Sequence, residues 1–196
     1  MKQLAIFDFD DTLITGDSFL PFLGYVAGKM QTAAALAEAA LLLGLSRAKG
    51  EEVETRTFVK AHLLRRLLAG KKRDALRDAA LKTAYWQKIN RPIMQKLQEH
   101  QAAGATIVIA SGGLDLYLPE MLRNIPYAAL ICTDVGVENG IVTGEMIHGN
   151  CVRQCKAERV AQWLKSNGPF DETYGYGNYP HDVPMLNLVK HRILVS

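Results

Sequence analysis

Four apolar residues, Leu4-Ala5-Ile6-Phe7, run directly into Asp8-Phe9-Asp10-Asp11. A short run without polar alternation marks a strand covered on both faces, as in the parallel sheets of α/β proteins. Because this strand stops in acids, its carboxyl end is expected to be a functional edge. Residues 106–110 and 128–132 repeat the apolar run, and strand-like stretches at 173–177 and 192–195 follow. Helical stretches lie between them: one from Arg91-Pro92 to a stop at Gly104, others at 115–123 and 156–165, and a last one opened by Pro184. Residues 135–143 alternate around Asn139-Gly140, a hairpin signal because both turn positions need positive φ. Strands alternating with helices predict an α/β fold with a doubly wound parallel sheet.

Residues 17–86 break this alternation. They read as helix throughout, with an alanine- and leucine-rich block at 33–45 and Leu63, Leu64, Leu67 and Leu68 at helical spacing. The expected organisation is a core made of residues 1–16 and 87–196, carrying an inserted α-helical cap at 17–86. The 33–45 block contains Glu38 and is shorter than the roughly 20 apolar residues that span a bilayer, so no stable membrane insertion is expected. Lys+Arg 23 against Asp+Glu 20 gives a net charge of +3, too small an excess for a dedicated nucleic-acid binder. Cys132, Cys151 and Cys155 fit neither a disulfide framework nor paired zinc knuckles, and acids cut the N-terminal apolar run before a signal-peptide core forms. A reducing, cytoplasmic setting is the expectation.

The chemistry concentrates at strand ends. Asp8 and Asp10 follow the first strand, and period-two geometry points them to one side if extension persists. Two carboxylates within ~4 Å repel by about 4 kcal/mol at an effective dielectric near 20, so the pair calls for a cation or a shared proton. Ser111-Gly112-Gly113 closes the second strand with a hydroxyl and permissive amides suited to a tetrahedral anion. Lys156 opens a helix and brings a positive charge toward the same edge. Gly177-Asn178-Tyr179-Pro180-His181-Asp182 sets amide and acid oxygens just beyond another strand, and Asn178 and Asp182 would complete an oxygen cage. Each cluster alone also has a structural reading as a helix cap or turn; it is their chain order at successive strand ends that points to one site.

Those four clusters resemble the motifs of the haloacid dehalogenase superfamily of phosphohydrolases, in its phosphoserine phosphatase-like branch with a helical cap. The resemblance runs from Asp8-Phe9-Asp10-Asp11-Thr12-Leu13 through Ser111 and Lys156 to the Gly177–Asp182 segment, nearly the whole chain. It implies that Asp8 is the nucleophile that forms an aspartyl-phosphate and that Asp10 is the acid and base. It implies Mg2+ held by Asp8, Asp10, Asn178 and Asp182, and a phosphoryl group bound by Asp11, Thr12, Ser111, Gly112 and Lys156. Asp17 would read a substrate ammonium, and the partner would be a small phosphate ester. The chain departs from the family at Asn178, where an aspartate is usual; this removes one negative charge from the metal cage. The apolar 33–45 block and the basic excess of residues 47–82 also admit a lipid-linked phosphate as substrate, and Asn178 admits a catalytically weak phosphate-binding protein. A phospho-acceptor signalling domain shares the acids and lysine, but the inserted helical segment argues against it.

Overall fold

The computed structural model describes residues 1–50, 52–86 and 88–195. From the N-terminus the chain forms β1 (Gln3–Phe7), a tight turn, β2 (Ile14–Thr15), and then α1 (Phe19–Ala27), α2 (Lys29–Ala48), α3 (Thr55–Leu67) and α4 (Arg77–Trp86). There follow β3 (Lys88–Ile89), α5 (Arg91–Ala102), β4 (Thr106–Leu114), α6 (Leu118–Met121) and β5 (Ala129–Thr133). The hairpin β6 (Val135–Glu138) and β7 (Ile141–Met146) leads to α7 (Arg153–Asn167), β8 (Glu172–Asn178), α8 (Val183–Leu186) and β9 (His191–Val195). Residue 87, where the second core segment was expected to begin, and residue 196, where it was expected to end, lie outside the described residues.

Five strands make one parallel sheet in the order β5-β4-β1-β8-β9. β1 is central, with Ile6 opposite Val108 on one side and Gly175 on the other. That position explains the uninterrupted apolar run, because Leu4, Ala5, Ile6 and Phe7 are all fully buried. Their side chains alternate between the two layers: Leu4 and Ile6 join Val108, Val160, Met185 and Leu186, while Ala5 and Phe7 join Leu97, Ile109 and Tyr176. Phe7 stacks on Tyr176 with ring centroids 4.4 Å apart.

The helices α1–α4 leave and rejoin the sheet through the short antiparallel pair β2 and β3, Ile14 facing Ile89 and Thr15 facing Lys88. A second attachment is made by the predicted hairpin. The Gly70 N–H donates to the Val142 carbonyl, the Val142 N–H returns to the Lys71 carbonyl, and the Arg73 N–H donates to that of Gly140, each at 2.9 Å. Arg65 clamps both oxygens of Glu145 at 2.7 and 2.9 Å. Gly144, at φ +83°, lets the chain pass close to α3: a Cβ there would stand 2.9 Å from the Arg65 Cα.

Two expectations change. Residues 115–123 give only the single turn α6, because β4 runs on to Leu114 and the Asp115 N–H still bonds the Thr133 carbonyl at 3.1 Å. In the segment read as wholly helical, Lys72 pairs with Ile141 as a strand-like bridge. Among the described residues no helix is long and apolar enough to cross a membrane, and Cys132, Cys151 and Cys155 are free thiols.

This burial predicts that Ile6→Ala lowers stability by about 2–5 kcal/mol, while Leu194→Ala, on the exposed side of β9, changes it by about 0.5 kcal/mol or less. Chemical denaturation of the two variants checks this, and equal losses would contradict the assignment of β1 as the core strand.

Candidate active site

Asp8, Asp10, Asp11, Asp17, Gly112, Lys156, Asn178 and Asp182 line one cavity, whereas Thr12 and Ser111 lie behind its wall, and Ser111 sits inside β4, which continues to Leu114 instead of closing there. The Asp8 N–H still holds the ladder, donating to the Tyr176 carbonyl at 2.9 Å. The chain then turns rather than staying in a strand: Asp10 is extended at φ −69°, ψ 135°, and Asp11 is left-handed at φ 54°, ψ 17°. A short polar side chain tolerates that conformation, and the Asp11 Oδ1 steadies the loop by accepting the Gly16 N–H at 2.8 Å. Asp8 and Asp10 nevertheless line one cavity of about 470 Å³.

At its floor the Lys156 ammonium donates to the Asp8 Oδ1 and the Asp182 Oδ1, both at 2.7 Å. All three side chains are buried. The Thr12 hydroxyl donates to the Asp8 Oδ2 at 3.0 Å, so this side chain orients Asp8 instead of facing the cavity. The second oxygen of Asp182 accepts the Asn178 N–H at 2.9 Å, which leaves both its oxygens engaged. The Ser111 Oγ accepts the Gly113 N–H at 2.9 Å, and its own proton remains to be donated. Gly112 is closely packed, since a Cβ would stand 2.8 Å from the Val152 Cγ1. Asp17 lines the cavity and its carboxylate accepts the Leu20 N–H at 2.9 Å, in the first turn of α1.

Two groups that sequence reasoning did not single out join them. Lys60 of α3 donates to the Gly112 carbonyl at 2.6 Å and to the Asn150 Oδ1 at 2.7 Å. Nothing local distinguished Lys60 from the other cations of residues 47–82, and Asn150 lies in a loop with no motif around it. Others of those cations do pair at the surface, Arg66 with Glu38 and Arg77 with Glu120. Opposite the polar floor, α1, α2 and α3 supply an apolar wall of Phe19, Leu20, Leu36, Val59 and Leu63.

Burial dominates the ionisation of the acids. It pushes the Asp8 carboxyl up to about 6 despite the opposing Lys156 ammonium, with Asp182 adding to the rise. It pushes Asp10 up to about 7, against the Ser18 N–H that donates to its Oδ1 at 2.8 Å and with help from the charges of Asp17 and Asp8. Burial alone would lower Lys156, but the carboxylates of Asp8 and Asp182 outweigh it and hold the ammonium charged. At neutral pH the site therefore offers one carboxylate that is mostly ionised beside one that is about half protonated, the division of labour that acid–base chemistry needs.

The donor set fits a hard divalent cation. The Asn178 Nδ2 reaches the Asp10 carbonyl oxygen at 3.2 Å and the Asp8 Oδ2 at 3.5 Å, bridging the two with its own N–H groups. A half turn of that amide exchanges its donor for an acceptor, giving carboxylate, carbonyl and amide oxygens around one point, the ligand types Mg2+ takes. Among the described residues no three His, Cys, Asp or Glu side chains gather as a metal cluster.

Comparison with known proteins gives a consistent result. Residues 5–187 match the family described as haloacid dehalogenase-like hydrolase. The chain is 27% identical to a histidinol-phosphatase of Neisseria meningitidis over all of its own length and 91% of the relative's. It is 26% identical to a phosphoserine phosphatase of Lactococcus lactis, covering 95% of this chain and 80% of that one. A solved structure of unknown function from Bordetella pertussis Tohama I superposes with a TM-score of 0.80 at 24% identity, covering 99% and 90% of the two chains.

The raised Asp10 carboxyl carries a stability signature. Between pH about 4 and 7 the folded chain keeps a proton on Asp10 that the unfolded chain has lost, so stability falls as pH rises, by up to about 1.4 kcal/mol per pH unit. In metal-free protein Asp10→Asn is expected to flatten this slope and to melt higher than wild type at pH 8. Thermal unfolding across that range checks it, and an unchanged slope would place the titrating group elsewhere.

Proposed function

Because the chain belongs to the haloacid dehalogenase-like hydrolases, we propose that it is a Mg2+-dependent phosphomonoesterase working through an aspartyl-phosphate on Asp8. The observation that carries this reading is the Lys156 ammonium 2.7 Å from the Asp8 carboxylate, a cation standing where a phosphate's charge would meet the nucleophile. In the first step an Asp8 oxygen attacks phosphorus, the bond from phosphorus to the ester oxygen breaks, and Asp10 gives its proton to the departing alkoxide. In the second, Asp10 takes a proton from water, the water oxygen bonds to phosphorus, and Asp8 leaves as a carboxylate with release of inorganic phosphate. Ser111, the amides of Asp11 and Gly112, and Lys156 bind the peripheral oxygens of the phosphoryl group, where charge is spread in the transition state. Thr12 holds Asp8 in line. Asp8, the Asp10 carbonyl and Asn178 would hold Mg2+, with Asp182 securing Lys156 and the Asn178 backbone. Bound there, the ion offsets the repulsion between carboxylate and phosphate.

The substrate is a small organic phosphate, phosphoserine-like in carrying an ammonium that Asp17 reads. Histidinol phosphate and phosphoserine, which give the two relatives their names, both carry an amino group. One observation favours a second substrate class, a lipid-linked phosphate. The helix α2 that lends Leu36 to the apolar wall also exposes Met30, Leu41 and Leu45, at 85%, 66% and 52%. Unpaired cysteines accord with a cytoplasmic setting.

Phosphate release from a panel of phosphomonoesters, with Mg2+ and with chelator, tests the proposal. Asp8→Asn is expected to lose turnover by about a thousandfold or more. Retention of near wild-type hydrolysis by that variant, or equal rates in chelator, would overturn it. Asn178→Asp restores a negative charge to the cage and is expected to lower the Mg2+ concentration for half-maximal rate by about tenfold; an unchanged or raised requirement would remove Asn178 from the metal site. Adding phosphatidylglycerophosphate in vesicles to the panel separates the two substrate classes.

A further inference from the structure

Two cations of α3, Arg56 and Lys60, line the cavity, and Lys60 bonds the core from there. Its ammonium donates to the Gly112 carbonyl at 2.6 Å, and the Thr133 hydroxyl donates to the same oxygen at 2.9 Å. That carbonyl and the Gly113 N–H belong to a single peptide unit. The N–H end donates to the Ser111 Oγ at 2.9 Å. A peptide plane held at its oxygen by two donors, one of them charged, has its N–H direction fixed as well, because the unit is rigid. Drawing electron density toward the carbonyl oxygen also strengthens the N–H as a donor. With one lone pair engaged by Gly113, the Ser111 hydroxyl still has its proton to donate.

The contacts around Lys60 support a purpose beyond filling space. Asn150, 5% exposed, accepts from Lys60 through Oδ1 and donates through Nδ2 to Thr57 at 3.2 Å, so it ties α3 to the loop before α7 from both sides. The Phe19 ring lies 5.3 Å from the ammonium. Ser111, Gly113 and Thr133 are buried, so the N–H end of the peptide unit is held within the protein, while Gly112 is half-buried at the cavity wall. We propose that Lys60 is a positioning residue that reads the seating of the helical segment and transmits it, through the Gly112–Gly113 peptide, to the Ser111 hydroxyl that meets the phosphoryl group. The inference rests on the proposed phosphatase function in one respect only, that Ser111 contacts phosphate. It predicts that phosphate is gripped fully only with α3 seated, which joins substrate enclosure to readiness of the site.

The test is a double-substitution cycle of Lys60→Met and Ser111→Ala on the full chain. It reads kcat and KM with the best phosphomonoester of the panel, and the Kd for inorganic phosphate by calorimetry. Acting alone, Lys60→Met is expected to weaken phosphate binding and lower kcat by about tenfold each, the scale of one charge-assisted hydrogen bond. In the Ser111→Ala background the same substitution should cost about twofold or less, because the group it acts through is gone. Lys60→Arg keeps a charged donor and should recover most of the loss. If Lys60→Met does not fold, Lys60→Gln replaces it in the cycle, and unfolding temperatures confirm that the compared variants are native. Losses that multiply independently, or a folded Lys60 variant with wild-type phosphate affinity and kcat, would overturn the relay. Absence of any hydrolysis by wild type would instead strike the proposed function, and the phosphate Kd cycle would still decide the relay.

Discussion

The Lys156 ammonium, buried between Asp8 and Asp182, is the interaction around which the site is built. Each of its two contacts is 2.7 Å, and each joins a different part of the sheet edge: Asp8 leaves β1, Asp182 precedes α8, and Lys156 itself stands in the first turns of α7. Burying three charges costs several kcal/mol per ion before their attraction is counted, and an apolar trio of similar size would often be as stable. What the trio provides is a carboxylate kept largely ionised in a place where burial alone would protonate it. The remaining features arrange themselves about that carboxylate. Thr12 orients it, Asn178 faces its outer oxygen, and Asp10 stands beside it with its own carboxyl pushed up to about 7.

Surrounding elements supply the asymmetry that a phosphatase site needs. The sheet edge is a polar floor, while the helical segment brings an apolar wall and two cations of α3, Arg56 and Lys60, of which Lys60 bonds the floor. The segment is attached at β2 and β3 and again where residues 70–73 run along the β6–β7 hairpin. Two separate attachments constrain its helices more than one hinge would. This geometry gives the Lys60 contact with Gly112 a defined partner.

How much of this could be read from the chain follows from the range of each interaction. The strand β1 was visible because burial on both faces leaves a local mark, four apolar residues ended by acids. The hairpin was visible because Asn139 and Gly140 must both take positive φ, and they do, at 50° and 78°. Asp8, Ser111, Lys156 and Asn178 were legible as successive strand-end or helix-start clusters; Asp8, Lys156 and Asn178 line one cavity, and Ser111 lies buried inside β4 beside Gly112, which also lines it. Lys60, Asn150 and Thr133 left no such mark, because their partners lie at least 52, 17 and 17 residues away and only the folded sheet edge brings them together. The helix expected at 115–123 failed for a related reason. Tyr117 is fully buried against Phe22, with its hydroxyl 2.9 Å from the Ser18 Oγ, and this tertiary packing together with the extension of β4 overrides local helical preference.

The central claim is that the carboxylate held by Lys156 accepts the phosphoryl group. Acid-quenching the enzyme during turnover of a phosphomonoester, followed by borohydride reduction and peptide mass spectrometry, tests it directly, since an acyl phosphate is reduced to the corresponding alcohol at the residue that carried it. The account predicts conversion of Asp8 alone to homoserine, dependent on substrate. Reduction at another carboxylate, or turnover with no reducible adduct on Asp8, would contradict it.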